Sequence, residues 1–197
     1  MICLNKKVDK HMNKVFLNED SLIEDSFRLG VQIYKQGYRP TFIVGLWRGG
    51  SAVGIYVQEC LQTLGVVTDH ISIRTSYRGL PSYESMLAEP GNIRIHGTQY
   101  LIENLNEADS LLIVDDVFSS GNSIDATVKH LKRHLKRNFP KDVKVASLYR
   151  RPSYQRTVIQ PDFCLHETQD WLVFPYELKG LTAEEIEQHK PYVAKLV

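Results

Sequence analysis

Leu111-Leu112-Ile113-Val114-Asp115-Asp116-Val117-Phe118-Ser119-Ser120-Gly121-Asn122-Ser123 is an apolar run, then two carboxylates, then a loop of small hydroxyl residues around a glycine. A continuous apolar segment from Ser110 that ends in acids fits a central parallel strand buried on both faces. Ser123–Phe139 follows as an amphipathic helix with Val128, Leu131, Leu135 and Phe139 on one side. Ligands of open α/β sheets bind at the carboxyl ends of the strands. A loop there that opens a helix presents free backbone N–H groups and the positive dipole end. Ser119, Ser120, Asn122 and Ser123 add polar groups and Gly121 lets the backbone approach, so the segment reads as a phosphate cup. Asp115 and Asp116 would repel a phosphate unless they meet hydroxyls or a metal, a demand that sugar hydroxyls and Mg²⁺ both satisfy. Neighbouring strand residues face opposite sides, so both acids reach one ligand only if the strand ends there. The plainer reading is a capped helix preceded by two solvated acids.

Working outward, Asn18–Gly37 has apolar residues at helical spacing (Leu22, Ile23, Phe27, Ile33, Tyr34), with Ser21 as N-cap, Glu24 completing a capping box, and Gly37 closing the helix. Pro40–Leu46 predicts a short buried strand, Ser51–Leu64 a helix closed by Gly65, Val66–Arg74 a strand and Val143–Tyr149 another. Thr75–Gly97, with Gly79, Pro81, Pro90, Gly91 and Gly97, predicts a long loop, a length that usually marks function or mobility. After Arg150 the pieces are shorter: Phe163–His166, Trp171–Tyr176, and a last helix from Thr182. Strands alternating with helices imply a parallel sheet with helices on both faces. Neither a Walker A loop nor GxGxxG is present.

The chain has 197 residues, 43% of them hydrophobic and 24% charged, with net charge +1. That composition excludes whole-chain disorder, collagen and a coiled-coil rod, and gives no global basic field for nucleic acid. Cys3, Cys60 and Cys164 lack metal or disulfide spacing and fit a reducing compartment. The charged start and the lack of a run of about 20 apolar residues point to a cytoplasmic protein without a membrane span. Lys129, His130, Lys132, Arg133, His134, Lys136 and Arg137 form the polar face of the amphipathic helix, read as a solvated face rather than an RNA-binding stripe.

The Asp115–Ser123 segment resembles the phosphoribosyl pyrophosphate (PRPP) motif of the type I phosphoribosyltransferases, and three further segments extend the likeness to their hypoxanthine/guanine/xanthine (purine) branch. Gly45-Leu-Trp47-Arg48-Gly49-Gly50 is similar to the pyrophosphate loop, where two glycines admit an anion and Arg48 supplies countercharge; the resemblance implies a cis peptide at Trp47–Arg48. Ser76-Tyr77 is similar to the flap that keeps water from the reacting centre. Asp170–Glu177 resembles the purine hood, which would make Trp171 the stacking residue, Leu172 the backbone reader of the base edge, and Glu177 a holder of Mg²⁺. The likeness runs from about Thr41 to Glu177 in family order.

It implies an α/β fold with a central parallel sheet of about five strands flanked by helices. The whole chain is then one domain, with a core at residues 18–150 and a small C-terminal hood at 151–197 to which the N-terminal segment can contribute. It implies transfer of a phosphoribosyl group from PRPP to a 6-oxopurine with Mg²⁺ as cofactor, Asp115, Asp116, Ser119 and Arg48 at the chemistry, and a homodimer or homotetramer. Two positions depart from the family. Ser119 stands where an aspartate usually accepts a proton at purine N7, and a serine hydroxyl is no base at neutral pH; a PRPP- or nucleotide-binding sensor on the same scaffold is the rival that this raises. A lysine aimed at O6 is missing after Tyr149, leaving Arg150 or Arg151 to reach O6 or the pyrophosphate.

Overall fold

Ser110–Phe118 (β5) lies inside a six-stranded sheet, as its apolar run requires. The order is Ile93–His96 (β4), Asp69–Tyr77 (β3), Phe42–Trp47 (β2), β5, Asp142–Arg150 (β6) and Phe163–Glu167 (β7). β3, β2, β5, β6 and β7 are parallel, and β4 closes the edge antiparallel to β3. The computed structural model describes residues 14–77 and 93–196, without the side chain of Tyr77. Met1–Asn13 with Cys3, and the 78–92 part of the expected flap with Arg78, lie outside the described residues.

Strand parity sorts the core into two layers. Leu112 and Val114 face one side, with Leu29 and Ile33 from Glu19–Lys35 (α1) and Val53, Val57 and Leu61 from Gly49–Thr63 (α2). Leu111 and Ile113 face the other, with Leu101 from Gln99–Asn104 (α3) and Ile124, Leu131 and Leu135 from Asn122–Leu135 (α4). All four β5 residues are fully buried, the burial on both faces expected of a central parallel strand.

The element ends differ from the sequence expectation at several points. Asn18, not Ser21, caps α1: its side chain accepts the Ser21 N–H at 2.7 Å. Two polar residues three apart both suit a cap, and the helix begins after the first. Gly37 and Gly65 close α1 and α2 at φ +84° and +83°. In each turn the next residue donates back into the helix, Tyr38 to the Ile33 carbonyl and Val66 to the Leu61 carbonyl, so Val66 belongs to that turn and β3 starts at Asp69. α4 starts one residue earlier than expected and gives way after Leu135 to a 3₁₀ turn at Lys136–Asn138. Part of the predicted Thr75–Gly97 loop is strand: Arg74–Tyr77 pairs with Ile93–His96, and the Ser76 hydroxyl meets His96 Nε2 at 2.8 Å.

The hood is a second, two-stranded parallel sheet. Lys14–Phe16 (β1) pairs with Trp171–Val173 (β8), so the N-terminal segment does contribute to it. Ala183–His189 (α5) and Pro191–Ala194 (α6) complete it, α5 opening on a Thr182/Glu185 capping box. Phe174, next to β8, is 2% exposed in the α1/α2 layer and anchors the hood there.

Candidate active site

The pairing of β5 explains how two adjacent carboxylates serve one cleft. The strand continues to Phe118, against the expectation that it stops at the acids, but its pairing with β2 stops at Val114. Beyond that point one flank of β5 is open. Asp115 continues the Leu111/Ile113 parity toward α4, and Asp116 continues the Leu112/Val114 parity toward α2 and the hood. From opposite faces both line a cleft of about 210 Å³, together with Arg48, Thr75, Tyr176 and Glu177.

That cleft adjoins two others through shared walls. A second, also about 210 Å³, is lined by Asp116 and Glu177 together with Ser119, Arg151, Trp171 and Leu172. A third, about 130 Å³, is formed by Asp115, Ser119, Ser120, Gly121 and Ser123 at the mouth of α4. The three compartments meet along Asp115–Ser119. Gly121, at φ +78°, takes the left-handed turn that opens the helix, and Ser120 Oγ accepts the Asn122 N–H at 3.3 Å inside the loop.

The acids are held by short polar contacts. Asp115 Oδ1 accepts the Asp116 N–H at 3.1 Å, Asp116 Oδ1 accepts the Val117 N–H at 2.8 Å, and Asp116 Oδ2 accepts the Tyr176 hydroxyl at 2.5 Å. Burial, then the Asp116 charge, push the Asp115 carboxyl well above the usual carboxylate range. Burial raises Glu177 as well, with Asp116 adding to it, opposed by the Phe174 N–H and Arg48. Burial, then Asp116, raise the Tyr176 phenol, so it stays a donor.

The Trp47–Arg48 peptide is cis, as the resemblance implies. Gly49 lies where a Cβ would overlap the Asp116 carboxylate and the Tyr176 hydroxyl, and a Cβ on Gly50 would run into the Val114 carbonyl. Those two glycines let the loop after β2 press onto the end of β5. Arg48 reaches across to Glu177 at 3.4 Å, a half-exposed contact that ties the loop to the hood only weakly.

Three expected site residues fall elsewhere. Arg150 is opposite Glu167 in the β6–β7 register and bonds it through Nε at 2.7 Å, away from the clefts. Arg151, one residue on, is 5% exposed in the second cleft, its guanidinium 3.8 Å from the Tyr154 ring and 5.9 Å from the Trp171 ring, with Nη2 donating to the Gln169 carbonyl at 3.1 Å. Asn122 does not line the phosphate-sized cup; its place in α4 turns it toward another cavity. Ser76 is engaged with His96 at the foot of the β3–β4 pair, and the Tyr77 side chain is outside the described residues.

Two site residues carry no signal in the sequence. Tyr176 lies between Trp171 and Glu177, and its role comes from the Asp116 carboxylate it bonds. Lys190 lies 3% exposed with Nζ donating to the Phe174 and Pro175 carbonyls at 2.8 and 2.9 Å, bracing the segment that carries Tyr176 and Glu177. A lysine between two short helices gives no signal for that.

Among the described residues no group of three or more metal-ligating side chains is close enough to hold an ion alone. Asp115 and Glu177 nevertheless put carboxylates into one cleft. That donor set suits Mg²⁺, which is bound by one or two carboxylates and substrate phosphates more often than by an all-protein cage.

A curated relative, the hypoxanthine-guanine phosphoribosyltransferase of Lactococcus lactis subsp. lactis (strain IL1403), is 26% identical over 98% of this chain and 96% of its own. In fold the chain is similar to the purine phosphoribosyltransferase from Pyrococcus horikoshii Ot3 (TM-score 0.63, 21% identity, 87% of this chain and 98% of that one). It is similar too to the Helicobacter pylori xanthine-guanine-hypoxanthine phosphoribosyltransferase (TM-score 0.63, 18% identity, 90% and 100%). The model of the phosphoribosyl transferase domain matches residues 16–179, which takes in the β5 acids, the glycine pair and the hood strand, and the chain belongs to that family.

Proposed function

We propose that the chain transfers the phosphoribosyl group of PRPP to N9 of a 6-oxopurine (hypoxanthine, guanine or xanthine), forming the nucleoside monophosphate and releasing pyrophosphate. The observation that carries this reading is the meeting of three compartments along Asp115–Ser119, matching a substrate pair with a phosphate, a leaving pyrophosphate and a planar base around one ribose. The names of the curated relatives support the substrate class.

In this reading the Ser119–Ser123 loop and the α4 N-terminus bind the 5′-phosphate. Asp115 and Asp116 hold the ribose hydroxyls and stabilise the positive charge that grows on the ring as the C1–oxygen bond to pyrophosphate breaks and the N9–C1 bond forms. Arg48 and the Gly49–Gly50 amides take the leaving group. Glu177 with Asp115 would hold Mg²⁺, which supplies charge neutralisation on the pyrophosphate oxygens. The base stacks on Trp171, with Leu172 at its edge. Arg151 rather than Arg150 donates to O6, because Arg150 is taken by Glu167. Ser119 lines the base cleft beside Asp116, so Asp116 is the carboxylate placed to accept the proton that the family's usual aspartate would take. The free thiols of Cys60 and Cys164 fit a reducing cytoplasm, and the expected assembly is a homodimer or homotetramer.

Pyrophosphate release from PRPP with hypoxanthine, guanine and xanthine tests the reading, on the protein as it stands and on Ser119→Asp. Turnover is expected from both, with the aspartate variant faster by about 10² or more. Absence of turnover from both, with nucleoside monophosphate still bound, would favour the sensor that Ser119 suggests.

A further inference from the structure

We propose that the cavity between β4, one face of α4 and the 156–158 loop is a second binding site, for a nucleoside polyphosphate. It encloses about 580 Å³, against about 210 Å³ for the cleft holding the β5 acids, within the range of sites that hold a whole organic ligand. Its apolar wall comes from Ile93 and Ile95 on β4, Ala126 on α4, and Val158, which is 96% exposed. Facing these are three cations, Lys129 and Arg133 one helical turn apart on α4 and Arg156 on the loop opposite. One carboxylate opposes them: Asp125, which takes Lys129 at 2.6 Å. Arg133 has no ion pair or hydrogen bond among the described residues. Arg156 uses Nη1 on the Ser153 and Gln155 carbonyls, at 3.2 and 2.9 Å, and keeps the rest of its fork. His130, in the same wall, meets Thr98 Oγ1 at 3.1 Å.

The independent observation is Asn122. It is 4% exposed, lines this cavity, and its Nδ2 has no hydrogen-bond partner among the described residues. A buried amide donor left unpaired is costly, and turning the Asn122 amide into the cavity it lines would give it an anion oxygen as acceptor. An amide donor and an arginine fork set beside an apolar wall select a molecule that is anionic at one end and flat and apolar at the other. Inorganic phosphate would leave the apolar wall unused.

Calorimetric titration of the full chain with ATP and, separately, with inorganic tripolyphosphate tests this without reference to transfer activity. ATP is expected to bind more tightly than tripolyphosphate. Arg133→Glu and Arg156→Gln, both at exposed positions, should each weaken ATP by about tenfold or more, whereas Ser123→Asp, which puts a carboxylate into the cup, should leave it unchanged. No binding of either probe at millimolar concentration overturns the proposal. So does ATP affinity lost in Ser123→Asp but kept in Arg133→Glu, which would place the ligand in the cup. Equal affinity for the two probes overturns the nucleotide assignment.

Discussion

The six-stranded core and the hood are held by different forces, and the difference decides what each tolerates. The core is positioned by area: Leu111, Leu112, Ile113 and Val114 are each fully buried between two helical layers, an attraction that is large and without direction. The hood rests on three residue pairs of β1 and β8, the Phe174 anchor and a few directed contacts. Those contacts include Lys190 to two carbonyls, Lys14 to Glu185 at 2.6 Å, Phe16 stacked on His189 at 3.7 Å, and, across to the core, Tyr176 to Asp116 at 2.5 Å. A region held by area fails as a whole, whereas one held by a few bonds can lose its aim and stay folded.

Leu112→Ala presses this contrast hardest. It opens a cavity in the layer that also seats Phe174, and a buried leucine truncated to alanine costs about 2–5 kcal/mol. Thermal unfolding should show a single cooperative transition displaced downward by on the order of 10 °C, at about 2–4 °C per kcal/mol for a chain of this size. A separate early hood transition would show that the two regions are less coupled than Phe174 implies.

Gly49→Ala strikes the seam between them. The new Cβ would displace the Asp116 carboxylate and the Tyr176 hydroxyl, which bond each other at 2.5 Å. A shift of about 1 Å in reacting groups costs on the order of a hundredfold in rate, so kcat should fall by about that much while Tm falls less than in Leu112→Ala. Unchanged kcat would mean that the seam is not part of the reacting geometry.

Lys190→Met removes the hood's brace alone. Two carbonyls lose a charged donor, a change of about 1–3 kcal/mol, which should appear as a KM for the purine raised by about tenfold with kcat nearly kept. The exposed Lys179→Met is the control. Equal effects from the two lysines would deny Lys190 its bracing role.

The same contrast explains what the sequence disclosed. The β5 run, the paired acids, the glycine pair before α2 and the Thr182 capping box depend on local chemistry, and each was legible. Arg150 against Arg151 was not, because one residue along a strand exchanges faces and only the β7 register, with Glu167 opposite Arg150, decides which arginine is taken. Asn122 turned on helix phase in the same way. Ile93 and Ile95 do alternate with polar residues, but five residues between Gly91 and Gly97 are too short a run to outweigh the loop chemistry around them. Tyr176 and Lys190 owe their roles to partners at Asp116 and at the Phe174–Pro175 carbonyls, which no spacing announces.

The smallest expected effect tests the seam between α2 and β3, far from the hood. His70 Nδ1 meets Gln58 Oε1 at 3.2 Å, while Nε2 is buried without a partner among the described residues. Burial holds its imidazole below the ordinary 6.5, with Asp69 opposing. Above 6.5 neither the folded nor the unfolded chain protonates it, and its contribution to stability is complete. As pH falls below 6.5 the unfolded chain takes up a proton that the folded one resists, so stability is lost down to the lowered folded value. His130, lowered by burial and by His134 and Arg133, acts in the same direction. Asp115 and Glu177, raised by burial, act oppositely, because there the folded chain binds the extra proton. The raw pH slope therefore mixes signs, and the informative quantity is the difference between the protein and His70→Gln. The drop in Tm from pH 7.5 to 5.5 should be smaller in the variant, by about 1–2 °C. An equal drop in both would show that the core protonates His70 as readily as water does, and that the α2–β3 seam is wetter than its packing implies.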